Sequence, residues 1–253
     1  MQIIILIYGL IIGSFLNVCI YRIPKEESIV FPSSHCPNCG TSLKWCDLVP
    51  VFSFIVQRGK CRYCGEKISL QYLRIELLNA IIYLFIYIQF GFTLKFFFYT
   101  VIFSLLIVIT AIDLEHMIIP DILIIFILAL SIIYKILTFL LYNNSLDLLN
   151  SIGGLVLSGL LFILIIILSK GGMGEGDVTL IASLGFILGI KKIFLTIFLS
   201  FIFGAIISIF LLIIKIKDRK DPIPFGPFII LGFSIVVFWG EQLISWYKNI
   251  FFI

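Results

Sequence analysis

The chain has 253 residues, of which 61% are hydrophobic and 13% charged, with a formal net charge of +4. Soluble domains carry about a quarter charged residues, so this composition excludes a soluble globular or disordered chain and indicates a membrane protein. The basic excess is small and spread over the chain's loops, which gives no reason to expect a nucleic-acid partner.

Apolar stretches of about 17 to 22 residues recur along the chain, each long enough at 1.5 Å per residue to cross about 30 Å of hydrocarbon. Eight transmembrane helices are expected, at roughly 2–20, 73–90, 95–112, 121–141, 151–169, 178–190, 193–214 and 226–247. The first, "MQIIILIYGLIIGSFLNVCIY", has no basic n-region and no small-residue cleavage site, and reads as a retained helix rather than a signal peptide. The sixth is short and holds Gly185 and Gly189, so a tilted or partly re-entrant helix packed through small residues is expected there. The fold class is an all-α polytopic membrane protein with three parts: a first transmembrane helix at 1–21, a polar loop at 22–72, and a seven-helix transmembrane domain at 73–253.

Lys and Arg fix the expected orientation, because basic loops stay cytoplasmic. With the N-terminus outside, Arg22, Lys25, Lys44, Arg58, Lys60, Arg62, Lys67 and Arg74 fall inside, with Lys170, Lys215, Lys217, Arg219 and Lys220. Lys95, Lys191, Lys192 and Lys248 are left outside, and Lys135 lies near an outer helix end. Thirteen inner cations against four outer ones make the net charge chiefly a topology signal.

The loop at 22–72 holds two Cys-x-x-Cys knuckles, Cys36 with Cys39 and Cys61 with Cys64, each followed directly by a glycine. That spacing matches a ribbon in which each knuckle gives two sulfurs to one tetrahedral zinc ion. The alternative is two disulfides or four unrelated thiols, which a reducing cytoplasm disfavours. Four thiolates close the coordination shell, so the expected zinc is structural. Cys46 has no partner in this scheme and reads as a small packing residue, Cys19 as a structural residue of the first helix, and His35 as a spare ligand to an already complete site.

Two further polar intrusions interrupt the apolar pattern. "AIDLEHMIIPD" puts Asp113 at the end of the third span and Asp121 at the start of the fourth, and "GGMGEGDV" puts Asp177 before the sixth. By the orientation above, both lie at inner helix ends and at similar depth. Two carboxylates held close cannot both ionise easily, so one serves as base toward a water and the other as acid toward a peptide carbonyl and leaving amine. Gly174 and Gly176 are expected to relax the backbone and let an extended substrate approach beside Asp177. The plainer alternative, a helix N-terminal carboxylate favoured by the dipole, is kept for Asp121 and weighed for Asp177. Asp113 resists it, because it stands at the end of a helix where the dipole disfavours an anion. Glu115 and Glu175 read as solvated flanking carboxylates, and His116 as a polar loop residue.

With these residues in place, the sequence resembles the type IV prepilin leader peptidases through nearly its whole length. The similarity is carried by "GSFLNVCIYRIP" at 13–24, "CPNC", "CRYC", "ISLQYLRIELL", "IDLEHMIIPD" at 112–121, "GMGEGD" at 172–177 and "PFGPFI" at 224–229. The resemblance implies a bacterial inner-membrane enzyme that removes the basic leader of prepilins and pseudopilins after a Gly on the cytoplasmic side. It implies Asp113 and Asp177 as the catalytic pair. It also implies methylation of the new N-terminal residue with S-adenosylmethionine, an activity of members with the full cysteine loop. This chain departs from the family pattern at Cys46, where an aromatic is expected after Trp45, and at "QYL" in place of "RYP". No Gly-rich loop of the Rossmann kind marks a methyl-donor site, and the root of the inner loop, with Asn17 and Arg22, is the region to which that step points. Oligomeric state and the particular substrate are not legible.

Two other classes compete. A proton-coupled transporter would place its acids at mid-span and show a duplicated fold. A membrane scaffold built on the zinc loop would tolerate loss of either Asp.

Overall fold

The computed structural model describes residues 1–142, 147–169, 172–216, 218 and 221–251. Lys170, Lys217, Arg219 and Lys220, counted above for orientation, lie outside the described residues. The chain folds as helices in this order: α1 (Gln2–Arg22), the short α2 (Phe52–Val56), α3 (Leu70–Phe90), α4 (Leu94–His116), α5 (Asp121–Tyr142), α6 (Leu148–Leu168), α7 (Glu175–Ile213) and α8 (Gly226–Phe251). Among the described residues there is no strand, and seven helices are long and apolar enough to cross a membrane. The protein is a multi-pass helical membrane protein.

Two compact units divide the chain at Ile112 and Asp113, within α4. In the first, residues 1–112, α1 packs on α3 through polar groups that satisfy one another where no water is present. The Asn79 amide donates to the Gly9 carbonyl at 2.7 Å, the Ser104 hydroxyl donates to Asn79 Oδ1 at 3.0 Å, and Tyr83 Oη lies 2.9 Å from Ser104 Oγ. Asn79 and Tyr83 are buried with Ile86, Ile102 and Leu106.

The second unit, residues 113–253, shows why eight spans were expected where seven long helices stand. The expected sixth and seventh spans are the two arms of α7, interrupted at Gly189 by a backbone of φ 74° and ψ 176°. The second arm runs antiparallel to α8: Phe201 stacks near Phe225 at the start of α8, whereas Lys192 pairs with Glu241 far along it. The first arm starts at that same end of α8, since Ile119 lies against both Gly176 and Gly226. The chain therefore turns back at Gly189. The first arm, residues 175–188, spans about 21 Å, shorter than the hydrocarbon core. Asn150 of α6 stabilises the turn, its Oδ1 accepting the Ile190 N–H at 2.9 Å.

Helix α4 runs to His116, one turn beyond the expected end, because the apolar pattern stops before the backbone does. Asp113 is thus in the last turn of a helix rather than in a loop. Met117 then takes φ 56° and the short segment to Pro120 leads into α5, with Asp121 in its first turn as expected.

Candidate active site and candidate metal centre

Asp113 and Asp177 are both buried, at 5% and 6% exposure. Each stands at a helix end: Asp113 in the last turn of α4, Asp177 in the first turn of α7. Both lie around Ile119, which meets Gly176 beside Asp177 and also Gly226, whose N–H reaches Asp113.

Their surroundings differ. Asp113 Oδ2 accepts the Gly226 N–H at 3.1 Å, a buried bond from the first residue of α8. Asp177 lies three residues after Gly174, which caps α7 with φ −72° and ψ 146°, and the Asp177 N–H returns to the Gly174 carbonyl at 3.2 Å. The positive end of the α7 dipole favours a carboxylate there, so Asp177 does occupy the helix N-terminal position weighed from the sequence. A capping role alone does not account for it, since Asp177 Oδ1 is buried with no hydrogen-bond partner among the described residues. Unpaired buried acceptors are few in native folds, and each calls for an explanation such as a catalytic role or a bound water or ion.

Gly174 has an ordinary extended backbone, and Gly176 lies within the helix. The space at Gly176 belongs to the chain itself, because a Cβ there would stand 2.8 Å from Cβ of Ile119. The glycine lets the α4–α5 turn press against the start of α7, next to Asp177. Glu115, His116 and Glu175 are exposed, in keeping with solvated flanking groups.

In the other unit, the sulfurs of Cys36, Cys39, Cys61 and Cys64 all lie within 4.8 Å of one another, and the cluster could hold a metal ion. The two knuckles repeat one hydrogen-bond plan. Gly40 N–H donates to the Cys36 carbonyl and Gly65 N–H to that of Cys61, both at 2.9 Å, while Cys36 N–H reaches Thr41 O and Cys61 N–H reaches Glu66 O. Gly40 and Gly65 take φ 68° and 73°, the left-handed turn that a glycine adopts without strain. Tetrahedral zinc with bonds of about 2.3 Å sets its sulfurs about 3.8 Å apart. Cys36 Sγ and Cys64 Sγ, at 3.9 Å, fit that spacing.

Hydrogen bonds already favour the thiolate at two of the four. The Thr41 hydroxyl, and then its backbone, bring Cys39 down to about 6, and backbone groups of Cys64 and Tyr63 lower Cys61. Cys64 is raised to about 11: the Glu66 backbone favours its thiolate, but burial and the other three thiols outweigh that bond. All six cysteines are free thiols. His35 lies outside the cluster, its Nδ1 3.1 Å from Ser33 O. Cys46 is half-buried beside the Arg62 guanidinium at 3.5 Å rather than packed in a core, and Cys19 is buried in α1.

Asp47, which the sequence reading passed over, ties this loop together. It pairs with Arg62 at 3.2 Å and accepts from Tyr63 Oη, Gln57 Nε2 and the Lys44 N–H. Asn17 and Arg22 serve the root of the loop: Asn17 donates to Tyr72 O, and Arg22 to the carbonyls of Ser28 and Pro32. Gly226 was also missed, although a glycine between Phe225 and Pro227 at the head of the last span was a visible signal.

Fold and site together define a multi-pass helical membrane protein with a buried aspartate pair at helix ends and a separate four-thiol module. The chain belongs to the type IV leader peptidase family. Residues 100–209 match the model described as the type IV leader peptidase family, and residues 7–90 match that of the bacterial peptidase A24 N-terminal domain. Among curated proteins it is 36% identical over 248 residues to a "Prepilin leader peptidase/N-methyltransferase" of Bacillus subtilis, covering 96% of each chain. It is 34% identical to the protein of that name in Xanthomonas campestris, over 94% of this chain and 91% of the relative. In Pseudomonas aeruginosa the figure is 30%, over 96% and 91%. No solved structure matches the chain.

Proposed function

We propose that the protein is a membrane aspartic endopeptidase that cleaves the leader from prepilins and pseudopilins after Gly, and then methylates the new N-terminus. The observation that carries the proposal is the buried pair Asp113 and Asp177, brought to one end of α8 from 64 positions apart in the chain. One carboxylate takes a proton from water as its oxygen bonds to the scissile carbonyl carbon. The other gives a proton to the amide nitrogen as the C–N bond breaks. The unpaired Asp177 Oδ1 is the atom that a water or substrate group would satisfy. Both acids at helix ends argue against a mid-span proton relay.

The site faces the cytoplasm of the bacterial inner membrane in this reading, with the N-terminus outside, as the distribution of Lys and Arg favours. Cys36, Cys39, Cys61 and Cys64 hold one zinc ion, whose role is to fold the loop. S-adenosylmethionine supplies the methyl group, with no residue assigned to bind it.

The test is a peptide with a basic leader, a Gly and a Phe-led apolar stem, given to purified protein and to Asp177→Asn with and without S-adenosylmethionine. Cleavage by the parent alone supports the peptidase, and a product heavier by one methyl group supports the second activity. No cleavage by folded parent protein overturns the proposal.

A further inference from the structure

The geometry points to a third element of the site, the N-terminus of α8, with Gly226 as the residue that positions Asp113. This inference deepens the peptidase reading and rests on it. Asp113 sits where the α4 dipole opposes a negative charge, yet it must be held ready to act on water. Helix α8 supplies what α4 lacks. Its positive end faces the carboxylate, and the Gly226 N–H donates to Oδ2 at 3.1 Å.

The neighbouring donors cannot take this role. Pro227 has no N–H, and the N–H groups of Phe228 and Ile229 both turn to the Phe225 carbonyl, at 3.0 and 3.2 Å. The helix start is itself pinned. The Phe225 ring lies 6.2 Å from Phe162 of α6, 5.2 Å from Phe201 of α7 and 6.0 Å from Phe228. Three rings from three helices thus fix the residue that directly precedes the donor.

Glycine is required at 226 because of the carboxylate. A Cβ there would stand 2.5 Å from Asp113 Oδ2 and 3.3 Å from Cδ1 of Ile119. Any side chain drives Asp113 off its donor, and with it one member of the pair. The bond occupies one carboxylate oxygen and leaves the other for the reacting water.

The experiment measures cleavage kinetics and thermal unfolding in detergent for Gly226→Ala, Asp113→Ala and the double variant. Gly226→Ala is expected to lower kcat at least tenfold with KM within about twofold, and to lower Tm. In the Asp113→Ala background the same change is expected to cost little Tm, because the atom it strikes is gone. An equal Tm loss in both backgrounds, or parental kcat in Gly226→Ala, overturns the inference. If Gly226→Ala does not fold, Phe225→Leu loosens the donor without adding a Cβ, and parental kcat in that variant also overturns it. Cleavage by Asp113→Ala would sink the peptidase reading instead, while the Tm coupling would still report whether Gly226 holds Asp113.

Discussion

The backbone N–H of Val51, in the cysteine-bearing loop, donates at 2.7 Å to Oε2 of Glu76, a buried carboxylate in the second turn of α3. Val51 takes φ 62° and opens α2, so this one bond ties a strained turn of the loop to a membrane-spanning helix. Glu76→Ala should therefore free the loop, at a cost of about 1–3 kcal/mol for the donor left unpaired. Limited proteolysis should show faster cutting around residues 48–58, and Glu76→Gln, which still accepts a hydrogen bond, should be cut more slowly than Glu76→Ala. Equal resistance of parent and Glu76→Ala would show that the loop is held elsewhere.

The zinc proposal separates the cysteines. Replacing Cys36 or Cys61 by Ser should lower the zinc content of the purified protein and loosen the loop, because under that proposal each would give one of four sulfurs to a closed shell. Cys46→Ser should keep the metal, since Cys46 stands beside Arg62 and outside the cluster. Metal analysis on the three variants, together with unfolding of the parent in a strong chelator, checks this. Unchanged zinc in Cys36→Ser would remove that residue from the ligand set.

Asp113→Ala and Asp177→Ala should each abolish leader cleavage in a protein that still inserts and folds. The loss expected from removing one acid or base is on the order of 10²–10⁴-fold. Glu175→Gln should keep most activity, because Glu175 is exposed, two residues before Asp177. Full activity in either Asp variant would refute the pair.

The sequence showed these two acids because each interrupts an apolar run, and it showed the four cysteines because their spacing repeats. It did not show what each acid rests against. Gly226 stood out as a glycine, but it is 113 positions from Asp113 and acts through a backbone N–H, so its partner could not be read from a pattern of side chains. Ile119 reads as one more apolar residue, and its contact with Gly176 appears only once the turn before α5 is packed against the start of α7. Glu76 was seen only within "ISLQYLRIELL", because the periodicity of α3 cannot say that the chain at Val51 folds back to meet it. Hydropathy located seven of the expected spans as helices or arms of ordinary length. The remaining one, the short first arm of α7, was legible as a separate sixth span holding Gly185 and Gly189, but the residue at which the chain reverses was not, since a reversal at one glycine changes direction without changing composition.

That reversal gives the last prediction. At Gly189 the backbone lies at φ 74°, where an L side chain is strained by about 1–2 kcal/mol, and a Cβ would meet the Asn150 amide. Asn150 Oδ1 accepts the Ile190 N–H that the break frees from the helix ladder. Asn150→Ala leaves that donor unpaired and should cost about 1–3 kcal/mol, and Gly189→Ala at least as much. Gly189 lies about 18 Å along the first arm from Asp177, so the damage should fall on stability more than on chemistry. Both variants are expected to unfold at lower temperature in detergent while the fraction that stays folded retains parental kcat. A parental Tm in Gly189→Ala would mean that the chain does not reverse at this residue.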